Sequence, residues 1–338
     1  MKTGTPASGI RFSISSVLPW LLLVALIFLP SAGLGTNLIR LFFLTLVWIV
    51  TSVAWNLVGG FAGQVSFGFA VFYGVGAYTG ALLMNQGVSP YAAMAGAAAM
   101  ASIASLIVGA PTFRLRGPYF VIATIGVNEA VRVLMSNLAI TGGASGLRLR
   151  EHGPYRQVEH YYTALGAAAI AIAISAVIAR SRFGLALRAI RQDEDAAADV
   201  GVNAYVCKLY VHAIAAALTG MAGAIFARYA AYINPQGVFA FNTSISILLM
   251  PVIGGIGTIW GPVLGGVVFG AIEEQLVANF PNIHLLLYGG LLMLIVLVEP
   301  DGLVGLFHRI VRRRGSDSRS KGIDKVLWGR SRLEGREL

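Results

Sequence analysis

The side chains able to do chemistry in this chain lie inside or beside apolar segments. "YFVIATIGVNEAVRVLMSN" (119–137) carries Asn128, Glu129 and Arg132 within a run otherwise fit to cross a bilayer. Charges there cost roughly 2.5–3.5 kcal/mol on insertion scales, and they normally face a bundle interior or a cavity. Glu129 and Arg132 stand three apart, so on a helix they share one face and can pair. Two readings follow: an ion pair that fixes helix packing, or a polar group at a translocation path or gate. Gln64 and Ser66, within "NLVGGFAGQVSFGFAVFYGVGAYTG" (56–80), are the other polar candidates for a path. Glu273 and Glu274 follow a second apolar block and read as interfacial.

Enzyme chemistry finds little footing. No nucleophile–His or metal-ligand constellation stands out; His152 and His160 accompany Glu151 and Glu159 in a loop that reads as a polar surface. The lone Cys207 excludes a disulfide framework or a multi-cysteine metal site and reads as a small apolar filler. No GxxxxGK[ST] phosphate loop occurs, so any ATP hydrolysis falls to another chain. We expect no enzyme activity, no cofactor and no metal.

The elements that must position these residues are membrane helices. Of 338 residues 57% are hydrophobic and 12% charged, with mean hydropathy +0.74, far from the roughly 25% charged of a soluble domain. A span needs about 20 apolar residues. Candidates are 17–34, 38–58, 64–84, 91–110, 118–138, 161–179, 207–229, 244–258, 263–277 and 283–298. The fold expected is all-α, a polytopic bundle of about 8–10 spans with an internal repeat. Lys2 and Arg11 before the first apolar run resemble a signal peptide, but no small-residue cleavage site follows; we read a first span.

The net charge of +10 points to the positive-inside rule and not to nucleic acid, because the basic residues cluster between and after the spans. Arg114–Arg116, residues 180–208 and a tail with ten Lys or Arg after 308 then lie inside, with both termini cytoplasmic. Arg148, Arg150 and Arg156 lie outside and count against this arrangement. The expected organisation is a cytoplasmic segment 1–16, a transmembrane domain 17–308 with a cytoplasmic loop at 180–208, and a basic, flexible cytoplasmic tail 309–338.

Two glycine-rich blocks need an account, since each helical glycine costs roughly 1 kcal/mol relative to Ala. The first holds Gly59, Gly60 and Gly63, with Ala70/Gly74 and Gly76/Gly80 at small-xxx-small spacing. The second, "PVIGGIGTIWGPVLGGVVFG" (251–270), holds Gly254, Gly255 and Gly257, together with Pro251 and Pro262. Either the glycines let helix backbones approach closely, or the segments are broken helices beside a substrate path, at equivalent points of a repeat.

The loop "RSRFGLALRAIRQDEDAAADVGVNAYVCK" (180–208) places Phe183, Leu187 and Ile190 at helical spacing among Arg182, Arg188 and Arg191. Asp193, Glu194, Asp195 and Asp199 follow, and Gly201 suits a left-handed cap. Two short helices are expected here. The acidic residues would be repelled by an anionic leaflet, so a groove on a protein partner suits the pair better than lipid.

"DAAADVG" (195–201) resembles the EAA-x-x-x-G signature of ABC importer permeases, with Asp195 in place of Glu. The surrounding loop and the next helix, both glycine blocks, "RLRGPYFVIATIGVNEAVRVL" and "TGGASGL" are similar to the branched-chain amino acid permease family, in its LivM-like branch. The similarity spans 40–305 in family order; "EPDGLVG" (299–305) departs from it, since relatives usually have Arg before the Pro.

The resemblance implies an ABC importer permease fold in a bacterial inner membrane. A LivH-like homologous subunit would complete the pathway for branched-chain or related hydrophobic amino acids. Two cytoplasmic ATPases would bind the ATP, and a periplasmic binding protein would deliver the substrate. Arg188, Ile190, Asp195, Ala196, Ala197 and Gly201 would couple to the ATPase; Gln64, Ser66, Asn128 and Glu129 would line the path. Urea, short amides or other amino acids are alternative substrates, and an ion-coupled secondary transporter is the alternative from another class.

Overall fold

The computed structural model describes residues 35–150, 157–279, scattered positions between 283 and 297, and 302–305. The expected first span 17–34, the segment 1–16 and the tail 309–338 lie outside the described residues. The main chain runs α1 (Thr36–Asn56), a π-helical turn (Leu57–Phe61), α2 (Phe69–Asn85), α3 (Pro90–Thr112) and α4 (Pro118–Asn137). It continues as β1 (Leu147–Arg148), α5 (Gln157–Arg180), α6 (Arg182–Gln192), α7 (Glu194–Asp199) and α8 (Ala204–Ala230). β2 (Tyr232–Ile233), α9 (Pro235–Val238), α10 (Phe241–Gly254) and α11 (Gly261–Asn279) complete it.

Among the described residues six helices are long and apolar enough to cross a membrane, and two shorter apolar ones, α2 and the first part of α11, accompany them. The protein is a multi-pass helical membrane protein. α1 is its central element: most of its apolar window is buried, including Phe43, Val50, Val53 and Trp55. Pro90 and Pro118 open α3 and α4 in the first turn, where a missing N–H costs nothing.

Small residues set the helix spacing. A Cβ on Gly76 would overlap Gly220 of α8, and one on Gly80 would lie 2.6 Å from the Ala224 methyl. Along α11, Gly266 and Gly270 lie against Ile49 and Thr45 of α1, a register that runs the two helices antiparallel. Close packing of this kind is what joins helices in lipid, where burial of apolar surface supplies no drive.

The bundle has two chemically distinct ends. At one, β1 and β2 pair antiparallel, Leu147 opposite Ile233, and Asn85 bonds to the backbone of Arg148 and Arg150. At the other, α6 and α7 sit beside the loop at Arg114–Arg116, with Arg116 3.1 Å from Asp195. The basic segments expected on one side of the membrane, 114–116 and 180–208, share this end.

The glycine blocks both pack and break. The expected span 64–84 begins only at Phe69, because Gly63 takes φ +73 and 62–68 leaves the helix. The expected spans 244–258 and 263–277 become α10, ending at Gly254, and α11, starting at Gly261. Between them Gly255 (φ +128) and Gly257 (φ +79) hold conformations that side-chain-bearing residues rarely adopt.

Candidate functional site

The loop between α5 and α8 folds by explicit capping. Ser181 accepts from the Gly184 N–H to start α6, and Asp193 accepts from the Asp195 and Ala196 N–H groups to start α7. Gly201, at φ +86, ends the second helix, with its N–H on Ala198 and the Val202 N–H on Ala197. Ile190, Ala197 and Ala204 form a small apolar cluster beneath, and the buried Lys208 ammonium lies 2.6 Å from Glu194. Ile190 and Ala197 therefore hold the loop together, while Arg188, Asp195, Ala196 and Gly201 are on its surface. The exposed Leu185 and Val200 lie on that surface too. The Arg116 guanidinium is raised further above its ordinary pKa by its hydrogen bond to Asp195.

Behind this surface Leu187 packs into the bundle core, and Arg191 reaches the glycine-rich breaks. Arg191 Nη1 donates to the Gly60 carbonyl at 2.6 Å. A Cβ on Gly63 would lie 2.9 Å from Arg191 Cγ, and one on Gly257 would overlap the guanidinium. The two glycine breaks thus meet, about 200 positions apart in sequence, with the Arg191 side chain on both.

Asn56 fastens the junction from inside. Fully buried, it donates from Nδ2 to the Thr258 carbonyl at 2.9 Å and accepts the Gly257 N–H at 2.8 Å. Gly60 is required beside it: a Cβ there would overlap Asn56 Oδ1 and come within 2.8 Å of Gly257 N. Ser52 adds a bond to the Pro262 carbonyl. Gly59 lies under the Trp55 ring, Gly254 against Gly261, and Gly255 against Gly302. Gly59, Gly60, Gly63, Gly254, Gly255 and Gly257 therefore all lie at this junction or its flanks. Arg191 and Asn56 were not singled out: one looked like a surface cation, the other like a helix end, and no local pattern marks either as a long-range partner.

The polar path candidates separate into two places. Gln64 and Ser66 lie on the non-helical link before α2; Gln64 is half-buried, and Ser66 is buried, accepting from the Gly68 N–H at 3.2 Å. The Ser66 carbonyl takes the Trp55 indole N–H at 2.9 Å. Phe67 N–H bonds to Thr124, tying this link to α4 one turn before Asn128. Asn128 is buried and donates to the Phe239 carbonyl at 3.0 Å. Glu129 pairs with Arg132, which also reaches Gln236. Glu129 is on the uncovered face of α4, beside Ile122 and Val133. Only 17% of the α4 window is buried, the least of the six long helices.

Among the described residues no group of three His, Cys, Asp or Glu side chains could hold a metal. His152 lies outside the described residues. His160 is buried next to Glu159, which bridges to Arg228 at 2.7 Å.

Comparison with known proteins agrees with this architecture. The profile of the family described as "Branched-chain amino acid transport system / permease component" matches residues 37–296. The high-affinity branched-chain amino acid transport system permease protein LivM of Escherichia coli (strain K12) is 30% identical over 324 residues, 86% of this chain and 76% of that protein. LivH of the same strain is 24% identical over 282 residues, 76% of this chain and 91% of that one. A probable branched-chain amino acid transport permease protein LivM of Methanocaldococcus jannaschii is 25% identical over 228 residues, 61% and 66% of the two chains. No solved structure matches.

Proposed function

Since the chain belongs to the branched-chain amino acid transport permease family, we propose that it is the transmembrane permease subunit of an ATP-driven importer in a bacterial inner membrane. In this reading both termini and the α6–α7 loop are cytoplasmic. Two separate ATPase subunits bind the ATP, and a periplasmic binding protein delivers branched-chain or related hydrophobic amino acids. A homologous LivH-like permease completes the path; both LivM and LivH proteins are similar to this chain.

The observation that carries this reading is the contact of Arg191 with Gly60 and Gly257. A loop exposing Leu185, Arg188, Ala196 and Val200 offers an ATPase groove both apolar and charged groups. Its only buried cation, Lys208, is already matched by Glu194, so docking leaves no charge stranded. Movement of α6 then pulls on the junction of two broken helices, the joints of the bundle most able to bend. Glycine at φ > 0 and a π turn absorb backbone change where a continuous helix would resist it.

The path itself is assigned to the face of α4 that carries Glu129, with Asn128 behind it and Gln64 and Ser66 at the linked end. An exposed carboxylate and guanidinium are costly against lipid; opposite the homologous subunit they line an aqueous route. Pairing with Arg132 leaves Glu129 poorly suited to carry an ion by itself, which disfavours the ion-coupled alternative. The test is uptake of radiolabelled leucine, isoleucine or valine into proteoliposomes holding the assembled complex with ATP inside. Uptake needing ATP and the binding protein is expected. Ion-gradient-driven uptake by this chain alone overturns the proposal, and uptake of urea or short amides in place of leucine overturns the substrate class.

A further inference from the structure

A cavity of about 350 Å³ lies among α1, α2, α8, α10 and α11. Tyr232 and Ile233 of β2 form part of its wall, which places it near the hairpin end and away from the α4 face. Its volume falls within the range of small-molecule sites. Trp48, Tyr73 and Phe226 give it aromatic walls; Asn242, Ser246 and Glu273 supply polar groups. Glu273, expected from sequence to be interfacial, is half-buried and lines this half-open cavity.

Among the described lining residues Glu273 is the only acidic or basic side chain, and no ion pair among the described residues includes it. A half-buried carboxylate with no cationic partner among the described residues is expensive in apolar surroundings. Trp48, Tyr73 and Phe226 line the same space, and aromatic walls suit a cation. The missing complement is a positive charge on an apolar body.

We propose that this cavity is a binding site for an ammonium ligand with an apolar body, with Glu273 as counter-charge and Trp48, Tyr73 and Phe226 as its aromatic wall. The ammonium has two possible sources, a free amino acid or amine and the ethanolamine headgroup of a membrane lipid. The proposal concerns a site separate from the α4 path and does not depend on ATP-driven import.

The test is direct binding to the full chain in nanodiscs, by calorimetry, without ATPases or binding protein. Leucine, 3-methylbutylamine and 4-methylpentanoate separate the ammonium from the carboxylate and the apolar body. In phosphatidylglycerol discs leucine and 3-methylbutylamine bind, 4-methylpentanoate does not, and Glu273→Gln weakens amine binding at least tenfold while Glu273→Asp retains part of it. Adding phosphatidylethanolamine assigns the site to a lipid headgroup if it suppresses amine binding, and to a free ligand if it does not. Melting of each variant at the wild-type temperature confirms that the fold is kept. Equal binding of 4-methylpentanoate, unchanged affinity in Glu273→Gln, or no amine binding in phosphatidylglycerol discs overturns the proposal. Loss of ATP-driven uptake in the wild type would sink the importer reading and leave this binding result untouched.

Discussion

Arg191 donates to the carbonyl of Gly60 at 2.6 Å, across 131 positions of sequence and from a loop helix into the break of a membrane helix. The same guanidinium sits on Gly257, in the break between α10 and α11. One side chain therefore touches both places where the bundle is jointed.

Replacing Arg191 by Ala removes this contact and leaves Leu185, Arg188, Ala196 and Val200 of the loop face in place. A hydrogen bond to a charged donor is worth about 1.5–3 kcal/mol, the lower end applying to an exposed arginine, so we expect roughly a tenfold loss of ATP-driven uptake. Co-purification with the ATPases is retained. Arg191→Lys recovers little, because an ammonium lacks the planar reach of the guanidinium. Uptake at the wild-type rate in Arg191→Ala rules out transmission through this residue.

Asn56→Ala is the stability counterpart. It deletes two hydrogen bonds and strands the Gly257 N–H and the Thr258 carbonyl, a loss of about 2–4 kcal/mol. A lower melting temperature in detergent is the readout. Asn56→Asp keeps the acceptor for Gly257 but not the donor, so its loss is of similar sign.

Glycines divide by what a side chain would strike. Gly76→Val collides with the Gly220 backbone and should destabilise by about 1–3 kcal/mol. At Gly166 of α5 nothing lies within 4 Å, so Gly166→Ala leaves the melting temperature unchanged or raises it. Equal melting temperatures for the two variants would remove the close-packing account.

Two adjacent alanines of the loop should fail in different ways. Ala196→Glu places a carboxylate on the exposed face, leaving the fold intact and weakening capture of the ATPases. Ala197→Glu forces one into the cluster with Ile190 and Ala204, so the loop unfolds and limited proteolysis cuts it. If Ala196→Glu captured the ATPases as well as wild type, the docking face would have to lie elsewhere.

Breaking the exposed Arg116–Asp195 pair with Arg116→Gln should leave the melting temperature unchanged, since water screens both partners. A measurable drop in detergent would show that the 114–116 loop is a structural brace for α7.

Much was legible from residue type and spacing alone. Apolar runs of span length marked the helices, Gly201 marked a loop cap, and small-xxx-small pairs marked Gly76 and Gly80 as packing sites. These signals are local, because caps act within one turn and small residues leave room whatever their neighbour. The glycine blocks were ambiguous between packing and breaking, and the chain uses both: Gly76 packs, while Gly63, Gly255 and Gly257 turn the backbone.

By itself the sequence determined a helical membrane protein with a capped, mixed-charge loop and two glycine-weakened segments. Only the tertiary structure decided that the two weak segments touch, that Arg191 joins them, and that Glu273 faces a cavity. The reason is physical. Periodicity says that a face is buried but not which helix covers it. The antiparallel packing of α1 on α11, and with it the seat of Arg191, is settled by shape and by hydrogen bonds between positions some two hundred residues apart.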